Sequence, residues 1–129
     1  MEPGPNIEQL KMIQAVITRL AGNSFLLKGW TVTLVAGLTA FAKADANRSF
    51  ALIALAVVAI FAVLDAYYLA LERAYRRLYD AEAANTGVQS WNLRVRRERG
   101  DVARALLSPP IALLHGAALV VATIVAATA

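Results

Sequence analysis

The stretch FALIALAVVAIFAVLDAYYLALERAYRRLYDAEAA, residues 50–84, decides the fold. Its first half, Phe50 to Leu64, is apolar all round, as a helix surrounded by lipid is. From Asp65 onward it turns charged, yet no glycine or proline stops it and its residues are good helix formers. Glu72 and Arg76, then Arg76 and Asp80, stand four residues apart, the spacing at which opposite charges meet on a helix. The stretch predicts one helix that crosses a bilayer and continues into the cytosol as a charged extension. Tyr67 and Tyr68 fit the interface, where rings with a polar tip collect. Tyr68, Tyr75 and Tyr79 form a stripe suited to packing on another cytosolic helix.

Two further apolar runs flank this stretch, Phe25 to Ala42 and Ile111 to Ala129. A crossing helix needs about 20 apolar residues, and both are near that length. Lys28 and Lys43 lie near opposite ends of the first run and can snorkel toward opposite headgroup layers. Gly29, Thr33 and Gly37 recur every four residues, a small-xxx-small stripe that lets helices approach closely. Lys43 to Ser49 is a short polar connection, which predicts an antiparallel pair. Ser108, Pro109 and Pro110 open the last run, proline being tolerated in a first helical turn.

Before the first span, Asn6 reads as an N-cap with Gln9 as its capping-box partner. Ile7, Leu10, Ile13, Ile17 and Leu20 then recur at helical spacing, an amphipathic helix that Gly22, Asn23 and Ser24 are expected to end. Met1 to Pro5 reads as a flexible leader, and no cleavable signal peptide is evident. Asn85, Thr86 and Gly87 are expected to end the charged extension. Trp91 to Arg104 reads as a second cytosolic helix with Val95 and Val102 on one face. Trp30 and Trp91 are expected to anchor interfaces or fill packing gaps. The expected organisation is leader and amphipathic helix over 1–24, a transmembrane pair over 25–72, a basic cytosolic region over 73–107 and a third span over 108–129.

Composition agrees. The 129 residues are 59% hydrophobic, against about 45–50% for a soluble domain. The formal charge of +4 comes from arginines flanking apolar spans, which are topology signals before they are nucleic-acid contacts. With no cysteine and a single histidine, His115, disulfides and thiolate metal sites are excluded, as is a histidine cluster within one chain. The N-terminal region has Lys11 and Arg19, with Lys28 in the first turn of the first span. Only Lys43 and Arg48 lie between the first two, and Arg73, Arg76, Arg77, Arg94, Arg96, Arg97, Arg99 and Arg104 lie between the last two. The positive-inside rule puts the N-terminus and the arginine block in the cytoplasm and the C-terminus outside.

Asp65, an acidic group at a span's edge, needs water or a partner. Lys28 and His115 fall in the cytoplasmic halves of their own spans, so the three can meet at one depth. Two readings follow: a polar ring at the inner mouth of a pore, or an interhelical hydrogen bond with snorkelling ends. Arg73, Arg76, Arg77, Arg94, Arg96, Arg97 and Arg99 suit anionic lipid, a nucleotide or other phosphorylated ligand, or an acidic protein partner. There is no glycine-rich phosphate loop, no G-x-S-x-G elbow and no H-E-x-x-H pair, so neither catalysis nor a cofactor is expected.

Two segments carry a resemblance. NIEQLKMIQAVITRLAGNSFLLKGWTVTLVAGL, residues 6–38, and LDAYYLALERAYRRLY, residues 64–79, resemble a group of small bacterial inner-membrane proteins without an established activity. More loosely, the architecture is similar to the SLATT-type membrane effectors of antiphage systems, in which paired spans precede a cytosolic helix. That resemblance implies oligomerisation and membrane disruption. The expected fold is all-α, with three transmembrane helices, an N-terminal amphipathic helix and a cytosolic helical extension. The expected function is a homo-oligomeric, channel-like or membrane-perturbing effector gated through its basic helices, with a non-catalytic adaptor or regulatory subunit as the alternative.

Overall fold

A computed structural model describes residues 4–84 and 91–129; the expected break at Asn85, Thr86 and Gly87 and the start of the leader lie outside the described residues. Those residues form four helices and no strand: α1 (Ile7–Ala44), α2 (Arg48–Ala83), α3 (Asp101–Leu106) and α4 (Pro109–Thr128). Three of them, α1, α2 and α4, are long and apolar enough to cross a membrane.

The amphipathic helix and the first span are one helix of 38 residues, not two. Gly22, Asn23 and Ser24 do not break it. The reason lies in the buried stripe: Leu10, Ile13, Ile17, Leu20 and Ser24 continue without a change of phase into Thr31, Val35, Thr39 and Ala42. A single face, repeating near every 3.5 residues as in a coiled coil, packs chiefly on α2 and also on α4. Asn6 caps α1 as expected, its Oδ1 accepting from the Gln9 amide at 3.3 Å. Gln9 does not return the bond. Its side chain is buried and donates to the Asn92 carbonyl at 3.2 Å.

The α1–α2 turn uses the Schellman geometry. The amide of Asn47 donates to the Ala42 carbonyl at 3.1 Å. Ala46 takes the left-handed conformation at φ 49°, and the Asn47 side chain then caps α2 by accepting from the Ser49 amide. Helix α2 runs unbroken from Arg48 to Ala83, as its sequence predicts. Its inward face is almost all alanine (Ala51, Ala54, Ala66, Ala70, Ala74) with Val58 and Asp65, which lets the helices come close.

Helix α4 returns along both, closing against Ala42 and Ala51 at its end. There Lys43 Nζ lies 2.5 Å from Thr128 Oγ1. At the other end Ala66 and Ala70 of α2 pack with Ala105 of α3 and Ile111 of α4.

The expected helix over Trp91 to Arg104 is mostly absent. Residues 91–98 are non-helical, and only Asp101–Leu106 winds into α3. Gly100 makes the corner at φ 84°, where glycine meets no Cβ penalty. In residues 92–96 the burial alternates: Leu93 and Val95 are half-buried, while Asn92, Arg94 and Arg96 are exposed. That is the period of an extended chain. Gln9 of α1 holds this strap at Asn92, and the Arg97 guanidinium lies 4.9 Å over the Tyr67 ring.

Candidate functional site

The three ionisable residues singled out in the spans do meet. Asp65 is fully buried where α1, α2 and α4 converge. Lys28 Nζ stands 2.7 Å from its Oδ2 and 2.9 Å from its Oδ1. His115 Nε2 lies 2.9 Å from Oδ2. Ser24, expected as a helix end, supplies the fourth contact by donating its hydroxyl to Oδ1, and its oxygen accepts from Lys28 Nζ at 2.7 Å.

The chemistry of this cluster follows from counting donors and acceptors. A carboxylate offers about four acceptor positions, and an ammonium three donors. The carboxylate receives Ser24 once, Lys28 twice and His115 once; the ammonium meets Ser24 and both carboxylate oxygens. Carboxylate and ammonium satisfy each other with their charges opposed, and the imidazole joins them through Nε2 alone. Lys28 does not snorkel outward as expected. It turns inward, and only 21% of its side chain remains exposed. His115 Nδ1 has no partner among the described residues.

Such a cluster is weak evidence for added stability, because desolvating two charges offsets much of their attraction. Its contacts join Ser24 and Lys28 of α1, Asp65 of α2 and His115 of α4 at one level of the three helices. Among the described residues no group of histidine and acidic side chains is placed to hold a metal ion.

The basic residues divide between two elements. Arg73, Arg76 and Arg77 lie on the charged end of α2; Arg94, Arg96, Arg97 and Arg99 lie on the strap and its corner. Arg76 is taken by Glu72 at 2.7 Å, as its spacing predicts. Arg104 of α3, outside the expected binding set, holds Asp101 at 2.6 Å. Asp101 also accepts from the Glu98 amide at 2.8 Å. That backbone bond first, then the Arg104 contact, hold its carboxyl below the ordinary value of 3.8.

The small-residue stripe points away from both partner helices. Gly29, Thr33 and Gly37 are exposed, and a Cβ built on either glycine meets nothing within 4 Å. The stripe therefore takes no part in packing within the chain. Trp30 and Trp91 are likewise more than half exposed and fill no gap in it. Comparison with protein-family models, curated proteins and solved structures returns no match.

Proposed function

We propose that this chain is a non-catalytic adaptor or regulatory subunit of the bacterial inner membrane. In this reading α1, α2 and α4 cross the bilayer, the N-terminus and the arginine block lie in the cytoplasm, and the C-terminus lies outside. The three spans form a fixed stem, α1 offers its outer face to further membrane helices, and the basic strap offers its charge to an acidic or phosphorylated ligand. The observation that carries this reading is the buried Ser24–Lys28–Asp65–His115 cluster. It consumes the ionisable groups of the spans inside one chain and leaves an apolar outer surface of residues such as Leu26, Val32, Ile60, Val63, Leu113 and Ile124. Such a surface suits lipid and neighbouring helices better than an aqueous lumen.

One observation favours the second reading, a homo-oligomeric, channel-like or membrane-perturbing effector. The outer face of α1 carries an open groove lined by Phe25, Leu26, Gly29, Trp30 and Thr33, where a second copy can seat a helix. Purification of the tagged chain from its own membranes after crosslinking, followed by a dye- and ion-flux assay in liposomes, separates the two. The adaptor reading expects an unlike partner and flux no greater than in protein-free vesicles. Homo-oligomers that conduct, and whose conductance changes on Asp65→Asn, establish the effector instead.

A further inference from the structure

Arg73 and Arg77 sit one turn apart on α2, where like charges repel. Their neighbour Arg76 has its own carboxylate, but these two do not share that solution. Arg73 enters no ion pair among the described residues, and Arg77 reaches Asp101 only at 3.6 Å with its side chain 54% exposed. Both line a cleft of about 180 Å³ between α2 and the strap–α3 corner, floored by Ala70 and closed by Glu98, Asp101 and Arg104.

The two acids do not fill the cleft's need for negative charge. Asp101 is engaged by Arg104 and by the Glu98 amide, and Glu98 faces Arg104 at 3.6 Å. They hold Arg104 in the wall. Three arginines against two carboxylates leave positive charge in excess, with the spare donors on Arg73 and Arg77. Arginine's planar fork matches phosphate oxygens.

Size and depth select the ligand. The cleft is smaller than the roughly 300–1,000 Å³ that encloses a drug-sized molecule, so it suits a phosphate group better than a whole nucleotide. Arg73 lies eight residues past Asp65, about 12 Å along the helix at 1.5 Å per residue. A hydrocarbon core starting near Phe50 and about 20 residues deep ends close to Ala70, which puts the cleft in the headgroup layer.

We propose that Arg73 and Arg77 bind the phosphate of an anionic phospholipid headgroup of the cytoplasmic leaflet, in a cleft that Asp101 and Arg104 hold open. The site rests on the membrane placement given above and deepens it by naming the ligand of the basic region.

The test is native mass spectrometry of the full chain released from membranes into detergent, titrated with phosphatidylglycerol and, separately, with zwitterionic phosphatidylcholine. The wild-type chain retains one phosphatidylglycerol in preference to phosphatidylcholine. R73Q/R77Q lowers that affinity about thirtyfold, the loss expected for two arginines near a membrane surface. K11Q/R19Q removes equal charge from exposed positions near the start of α1 and changes it by less than about threefold. Helical content by circular dichroism checks that both variants fold. If R73Q/R77Q does not fold, R73K/R77K replaces it. Weaker retention by that variant supports the site and unchanged retention overturns it, because lysine keeps the charge and loses the fork. Equal losses in both glutamine variants, or no preference for phosphatidylglycerol, overturn the site. Displacement by millimolar inorganic phosphate or nucleotide, with no lipid preference, assigns the cleft to a soluble ligand and overturns the lipid source. Absence of the chain from the membrane fraction refutes the placement itself, whereas a membrane-bound chain without lipid preference refutes only the site.

Discussion

At the residue scale the packing of the spans turns on Asp65 and Lys28, whose losses are not equivalent. Lys28→Ala leaves Asp65 fully buried with only Ser24 and His115 for partners. A buried charge stripped of its ion partner costs about 3–5 kcal/mol. Asp65→Ala leaves a lysine that is already one-fifth exposed and can extend its stem toward the headgroups, so its cost is smaller. Thermal unfolding in micelles is expected to rank Lys28→Ala below Asp65→Ala. The double variant is expected to lose less than the sum of the two, which measures the coupling. Ala46 gives the opposite kind of prediction. A non-glycine residue at φ 49° carries about 1–2 kcal/mol of steric cost. Ala46→Gly is therefore expected to raise stability in the same assay by about 1 kcal/mol, once glycine's greater unfolded-chain freedom is deducted.

At the scale of elements, α2 is legible from its sequence because nothing in it competes with helix from Arg48 to Ala83. The meeting of Lys28, Asp65 and His115 is legible from the costs of charge at span depth. Ser24 escapes a sequence reading because a Gly-Asn-Ser run signals a helix end locally. The contrary signal is the stripe from Leu10 to Ala42, whose phase does not change across that run, and the tertiary face overrides the local propensity. The strap misleads for a related reason: arginine and leucine are good helix formers, yet Leu93-Arg94-Val95-Arg96 alternates with the period of a strand. That Gln9 reaches Asn92 instead of its own cap carries no local signal.

The docking of α3 gives a pH prediction. Asp101 has its carboxyl lowered in the folded chain, so its contribution is present above the ordinary carboxylate range and is lost as pH falls through the folded value. Hydrogen exchange at α3 amides, corrected for the intrinsic pH dependence of exchange, is expected to report constant protection between about pH 5 and 8. It is expected to report opening only below the ordinary carboxylate range. Opening within the neutral range contradicts the assigned role of Asp101.

At the scale of the whole molecule, the outward Gly29–Thr33–Gly37 face allows the proposed assembly role to be tested apart from folding. Because neither glycine has neighbours within 4 Å of a built Cβ, Gly29→Leu with Gly37→Leu is expected to leave thermal unfolding of the isolated chain within about 1 kcal/mol, as for sites away from packing. The same change is expected to reduce crosslinking to other membrane helices at least severalfold. Loss of folding instead places the stripe in the chain's own packing.

The proposed membrane placement underlies the proposed headgroup cleft, the orientation of the strap and the proposed role of the α1 face. The chain has no cysteine, so an introduced one reports alone. The decisive measurement is labelling of single cysteines at Asp45, Arg99 and Thr128 with a membrane-impermeant maleimide, in intact spheroplasts and after lysis. Positions 45 and 128 are expected to label in intact spheroplasts, and position 99 only after lysis. Labelling of 45 and 99 from the same side contradicts the placement.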